Sequence, residues 1–184
     1  LEISVRGQPL SLETMRAEFL RIATQRNLDI AFQKDDAFRR NRRLVAFDMD
    51  STLIQSEVID ELAAEAGVGD QVAAITERAM RGELDFDASF RARVALLKGL
   101  EESALEKVRD RIQLTEGAER LIGTLKTLGY RTAILSGGLT WLGTPMKQRL
   151  GIDYIYANEL EMEDGRVPGR VPGTIVNGAR KAEL

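Results

Sequence analysis

At 184 residues, 43% hydrophobic and 30% charged, the chain has the length and balance of a soluble globular protein with one sizeable apolar core. A formal charge of −3 with no long block of one sign speaks against nucleic acid or an anionic membrane as a partner, and no apolar run approaches the ~20 residues of a bilayer span. With no cysteine and no histidine, disulfides, zinc–thiolate sites, cysteine nucleophiles, Ser-His-Asp triads and phosphohistidine are excluded; catalysis would fall to carboxylates, lysine, arginine, hydroxyls and a hard metal ion.

The first segment has the pattern strand, helix, strand. Leu1 to Val5 alternates, Gly7-Gln8-Pro9 turns, and Ser11 is placed to cap a helix with Glu13 in its first turn. Met15, Phe19, Leu20 and Ile22 give that helix an apolar face, Asn27 stops it, and Leu28 to Phe32 is expected to be a short strand. Residues 1–33 would then be a partial α/β unit. The polar stretch 34–43, with Phe38-Arg39-Arg40-Asn41-Arg42-Arg43, is expected to be a solvated linker rather than a nucleic-acid patch.

Leu44-Val45-Ala46-Phe47 is an apolar run expected to form a strand buried in a parallel sheet, and Asp48-Met49-Asp50-Ser51-Thr52 follows at its end. From about 55 to 113 the pattern is helical. Val58, Ile59, Leu62 and Ala63 share a face closed by Gly67, and Val72, Ile75 and Ala79 one closed by Gly82. Phe86, Phe90, Val94 and Leu97 precede Gly99, and Leu105, Val108 and Ile112 complete the set. Such an insertion would make a helical cap over the strand end. A crossover helix is predicted over Glu116 to Leu128, then a strand over Arg131 to Leu135 ending in Ser136-Gly137-Gly138. A helix over Thr140 to Leu150 and a strand over Tyr154 to Ala157 follow. Glu159 to Val171 is expected to be a hairpin turning at Asp164-Gly165, and a last helix from about Asn177 carries Lys181.

The chemistry concentrates at strand ends. Alternation in an extended segment puts Asp48 and Asp50 on one side, facing the crevice where open α/β sheets bind ligands. Such a pair can hold a hard cation and leave one carboxylate free to attack phosphorus. The plainer reading is a turn and a helix cap. Ser136-Gly137-Gly138 offers a hydroxyl and bare amides to a phosphate, or simply makes a turn. Lys181 would supply positive charge to the same group, or be an ordinary solvated lysine.

Together, Asp48-Met49-Asp50-Ser51-Thr52, Ser136-Gly137-Gly138 and Lys181 resemble the first three motifs of the haloacid dehalogenase superfamily of phosphatases. Within it, residues 45–181 are similar to the phosphoserine phosphatases, through Ser56-Glu57-Val58-Ile59-Asp60-Glu61, Ile75-Thr76-Glu77-Arg78-Ala79-Met80, Phe90-Arg91-Ala92-Arg93-Val94 and Leu114-Thr115-Glu116-Gly117-Ala118. Residues 1–33 more weakly resemble part of an ACT-type regulatory domain. The resemblance implies an α/β fold: a three-layer, Rossmann-like parallel sheet core over 44–184, incomplete at its C-terminal end, with an inserted helical cap at about 55–113.

It also implies hydrolysis of O-phospho-L-serine, a step of serine biosynthesis, through an aspartyl phosphate. Asp48 would be the nucleophile and Asp50 the general acid and base; Mg2+ would be held by the Asp48 carboxylate and the Asp50 backbone carbonyl. Ser136, Gly137 and Lys181 would hold the phosphoryl group. Glu57 would face the substrate ammonium and Arg93 its carboxylate, while Met80 and Phe86 close the pocket. On residue pattern alone, Met80 and Phe86 also suit a helical core and Glu57 a first-turn acid. Asp50 argues against a dehalogenase, which needs no acid for a halide leaving group.

The fourth family motif, an acidic Gly-Asp-Gly-x-Asn-Asp loop that completes the magnesium site, is absent. Truncation and weak activity of this chain alone are therefore expected. Other small phosphomonoesters, a phosphotransferase, or a serine-binding and oligomerising fragment are the alternatives. A homodimer and serine as product or regulator are the candidate partners. A cytoplasmic location suits the absence of cysteine and of a visible signal peptide.

Overall fold

The computed structural model describes residues 3–5, 7–8, 10–33 and 43–184. These divide into two compact units, Leu1–Arg42 and Arg43–Leu184. Most of the predicted linker, 34–42, lies outside the described residues.

In the first unit, helix α1 (Leu12–Arg26) begins and ends where the sequence signals it. Ser11 Oγ accepts from Thr14 N at 3.1 Å, and Asn27 takes the left-handed conformation, φ 50°, as C-cap. Phe19 and Phe32 rings pack at 5.0 Å. The two flanking strands are not formed among the described residues, which here carry no strand at all. A strand needs partners for its backbone N–H and C=O groups; Leu28 N instead donates back to Ala23 O at 3.0 Å at the end of α1, and Val5 and Leu28 stay exposed.

The second unit is built on a parallel sheet of order β1-β2-β3: Leu44–Phe47, Arg131–Leu139 and Tyr154–Asn158. Four helices, α2 (Val58–Glu65), α3 (Gly69–Met80), α4 (Phe86–Leu96) and α5 (Glu102–Arg111), are inserted after β1. Crossover helix α6 (Ala118–Thr127) then leads into β2, α7 (Thr140–Leu150) into β3, and α8 (Gly178–Glu183) follows. Sheet and inserted helices share one apolar cluster that includes Ile122, Ile134 and Leu142 together with Met49, Leu53, Leu62, Val94 and Leu105. Among the described residues, no helix is long and apolar enough to cross a membrane.

Three expectations change. Strand β1 is not buried: it has β2 as its neighbour in the sheet and no strand on its other side among the described residues, so Leu44 and Ala46 stay exposed. Strand β2 does not stop at Leu135 but runs to Leu139, so Ser136-Gly137-Gly138 lies within it at a break in register. The hairpin at 159–171 shrinks to a Glu163–Arg166 bridge around Asp164 and Gly165, both with positive φ. Its return arm bonds elsewhere, Gly99 N to Val167 O at 2.8 Å and Glu102 N to Gly165 O at 3.0 Å. Backbone donors at and just before the start of α5 take these carbonyls instead.

Because Ile122 is wholly buried in α6, Ile122→Ala should cost about 2–5 kcal/mol of unfolding free energy. Urea titration checks it, and Leu128→Ala, at an exposed position, should stay within about 0.5 kcal/mol.

Candidate active site

One buried side chain sets the carboxylate pair. Met49 is 0% exposed, so its neighbours Asp48 and Asp50 turn away from the core at the end of β1. The Met49 carbonyl accepts from Leu53 N at 2.9 Å and Ile54 N at 3.1 Å, folding the chain into a tight turn. Ser51 reaches φ 52° in that turn, and its hydroxyl donates to Glu57 Oε1 at 2.6 Å.

The two aspartates differ in surroundings. Asp48 is open to solvent; its Oδ2 pairs with Lys181 Nζ at 2.6 Å and its Oδ1 accepts from Met49 N at 2.9 Å. Asp50 is more enclosed, accepting from Val58 N at 2.9 Å on Oδ1 and from Ser136 Oγ at a long 3.3 Å on Oδ2. Burial pushes the Asp50 carboxyl above its ordinary range; the negative charges of Glu57 and Asp48 add to this, against the two hydrogen bonds. One carboxylate thus faces water beside a cation while the other is biased to keep its proton.

The glycines are there for close approach. A Cβ at Gly138 would collide with Asp50 Oδ2 and press on Ser136 Oγ at 3.0 Å, and one at Gly137 would meet Phe86 Cζ at 2.7 Å. Gly138 N donates to Ser136 Oγ at 2.8 Å. Phe86, at the start of α4, therefore lies against the glycine segment, stacked on Phe90 at 5.9 Å.

Arg93 on α4 is half-buried. Desolvation lowers its pKa while Asp60, Glu57 and Asp50 pull the other way, and its Nε is buried without a hydrogen-bond partner. Asp50, Glu57 and Arg93 thus lie within electrostatic reach of one another. Met80 does not join them: it is 85% exposed and lines a surface depression with Asp60, Thr76 and Glu77.

Several residues of this neighbourhood carry no motif. Asp87 on α4 accepts from Asn177 Nδ2 at 2.9 Å, and Asn177 caps α8 by accepting from Arg180 N at 2.9 Å. Arg91 donates to Val171 O at 3.0 Å and Gly173 O at 3.4 Å. Asn158 is buried at the end of β3. A polar residue closing an apolar strand next to a glycine segment is the signal that sequence reasoning passed over.

Among the described residues, no group of three or more His, Cys, Asp or Glu side chains is arranged to hold a metal. At the end of β1 the oxygens open to a cation include the Asp48 carboxylate and the Asp50 carbonyl, and no described residue donates to that carbonyl. Hard oxygens in small number suit a cation that keeps several of its waters.

A family model described as haloacid dehalogenase-like hydrolase matches residues 45–184. The chain belongs to that family. It is 49% identical over 92% of its length to a phosphoserine phosphatase of Archaeoglobus fulgidus, covering 49% of that protein. To the phosphoserine phosphatase of Streptomyces coelicolor it is 48% identical over its whole length, covering 44% of that protein. A solved structure described as a phospho-aspartyl intermediate analogue of phosphoserine phosphatase superposes with a TM-score of 0.72 at 46% identity, over 77% of this chain and 68% of the other. The chain spans about half the length of the curated relatives it matches.

A raised folded-state pKa at Asp50 means that the fold prefers its protonated form. That stability is fully present below the ordinary value of 3.8 and is lost as pH rises through the folded value. Asp50→Asn, neutral at every pH, should therefore melt above the parent at pH ~7, the gap closing toward pH ~4. Thermal melting in the presence of a chelator checks the sign.

Proposed function

We propose that the protein hydrolyses O-phospho-L-serine to L-serine and phosphate, with Asp48 as nucleophile. The observation that carries this reading is the pair of unlike carboxylates: Asp48 beside Lys181 at 2.6 Å and an enclosed, proton-retaining Asp50. Relatives named phosphoserine phosphatase at 48–49% identity support the substrate.

An Asp48 oxygen attacks phosphorus, the bond from phosphorus to the seryl oxygen breaks, and the Asp50 carboxyl gives its proton to that oxygen. In the second half, Asp50 takes a proton from water as the water oxygen attacks phosphorus. The acyl-phosphate P–O bond breaks, and phosphate leaves with the Asp48 carboxylate restored. Lys181, Ser136 Oγ and the Gly137 amide hold the phosphoryl oxygens, because most catalysis of this reaction comes from positioning and charge neutralisation. A magnesium ion would sit on the Asp48 carboxylate and the Asp50 carbonyl, and when bound it neutralises charge on the phosphoryl group.

For the amino-acid part, Glu57 would take the ammonium and Arg93 the carboxylate. The unpartnered Arg93 Nε supports this, since a buried guanidinium donor without an acceptor is costly until a ligand supplies one. Phe86 would exclude water from above the glycine segment. Met80 joins it only if α3 moves from its present exposed position. The same proposal assigns 1–33 to an ACT-like regulatory unit, 34–43 to a linker and 44–184 to the core, with the cap at 55–113, and places the reaction in the cytoplasm.

The test is a panel of small phosphomonoesters with Mg2+ and the full-length protein. O-phosphoserine should be hydrolysed, and Asp48→Asn should lower its turnover by on the order of 10⁴-fold or more. Normal turnover by that variant, or failure to trap an acyl phosphate at Asp48, overturns the reading. Arg93→Lys, which gives up the planar fork, should raise KM for O-phosphoserine on the order of tenfold to a hundredfold. The same change should leave KM for phosphoethanolamine, which has no carboxylate, near the parent value.

A further inference from the structure

Asn158 is 2% exposed and takes no part in the chemistry above. A side-chain amide so enclosed must find its partners inside the protein. Its Nδ2 donates to Gly137 O at 2.8 Å, and its Oδ1 accepts from Val176 N at 2.8 Å.

The first bond answers a need that the sheet creates. Strand β2 pairs with β3 at Leu135–Tyr156 and again at Leu139–Asn158, so residues 136–138 stand opposite Ala157 alone. A bulge of this kind takes backbone groups out of the ladder, and a side chain must replace the missing donor. The second bond reaches the residue before Asn177, which caps the helix carrying Lys181.

We infer that Asn158 is a positioning residue that fixes the Ser136–Gly138 bulge and the entry to α8 in one geometry, and so aligns Asp50 with Lys181. The Gly137–Gly138 peptide is held at both ends, its carbonyl by Asn158 and its N–H by Ser136 Oγ at 2.8 Å. The same hydroxyl donates to Asp50 Oδ2 at 3.3 Å. Along the other arm, Val176 leads through the Asn177 cap to Lys181 and its contact with Asp48 at 2.6 Å. Asn158 touches neither carboxylate and acts through these intermediates. The catalytic consequence rests on the proposed hydrolysis of phosphoserine; the geometric one does not.

Two variants of the full-length protein separate the arms. Asn158→Asp keeps an acceptor for Val176 N but sets an oxygen against the Gly137 carbonyl, whereas Asn158→Ala removes both bonds. Both should lower kcat for O-phosphoserine by about 10²-fold, the scale of a small misplacement of reacting groups, with KM near the parent value. Amide hydrogen exchange should accelerate selectively: at Gly138 in both variants, and at Val176 in Asn158→Ala alone, with Ala133 in the same strand unchanged. Ile122→Ala serves as the control, losing stability while keeping kcat at a temperature where it is folded.

Retention of parental kcat in Asn158→Ala, or acceleration spread evenly over β2, would overturn the inference. If the parent itself does not hydrolyse O-phosphoserine, the functional proposal fails. The exchange pattern then still decides whether Asn158 holds both segments.

Discussion

The site depends on the placement of Met49. Its side chain is wholly buried in the core while its carbonyl closes the turn that follows. With Met49 inside, the pleat of the strand leaves Asp48 and Asp50 no choice but to face the crevice. The turn then brings Glu57 and the start of α2 back over the pair, where Val58 N and Ser51 Oγ hold Asp50 and Glu57 respectively. A thioether adapts to an irregular gap between sheet and helices. Here that gap is closed on the α7 side, where Gly143 leaves room for the Met49 sulfur and Ile155.

The difference between the two aspartates follows from depth rather than from identity. Asp50 lies under the α2 entry and against Ser136, where desolvation outweighs its hydrogen bonds. Asp48, one pleat away, stays in contact with water and with Lys181. A single short motif thus delivers one open carboxylate beside a cation and one enclosed carboxyl biased to keep its proton.

Much of this was legible in the sequence because it is encoded locally. Periodic apolar positions marked α2 to α5, Ser11 and Asn27 bounded α1, and the run before Asp48 marked β1. Asp48, Ser136 and Lys181 could be linked through the resemblance of their motifs to a known family, since each local pattern alone also suits a turn or a solvated lysine. What escaped depends on neighbours far along the chain. The exposure of Leu44 and Ala46 is set by which strands flank β1, not by their own side chains. The bulge at Ser136 is set by register with β3, and the return arm of the 163–166 turn is claimed by the segment before α5. Asn158 and Asp87 look like ordinary polar residues until the fold places a backbone amide or a cap beside them. Among the described residues the strands expected to flank α1 are not formed, since alternation alone supplies no pairing partner.

The tie between α4 and the segment 171–177 has a mechanical corollary. Arg91 grips two carbonyls of that segment, and Asp87 holds the very side chain that caps α8. An outward swing of α4 would have to release all of these contacts, and Phe86 would leave the glycines on the same stroke. The seat of α4 and the anchorage of the lysine are therefore yoked: the one cannot shift without slackening the other.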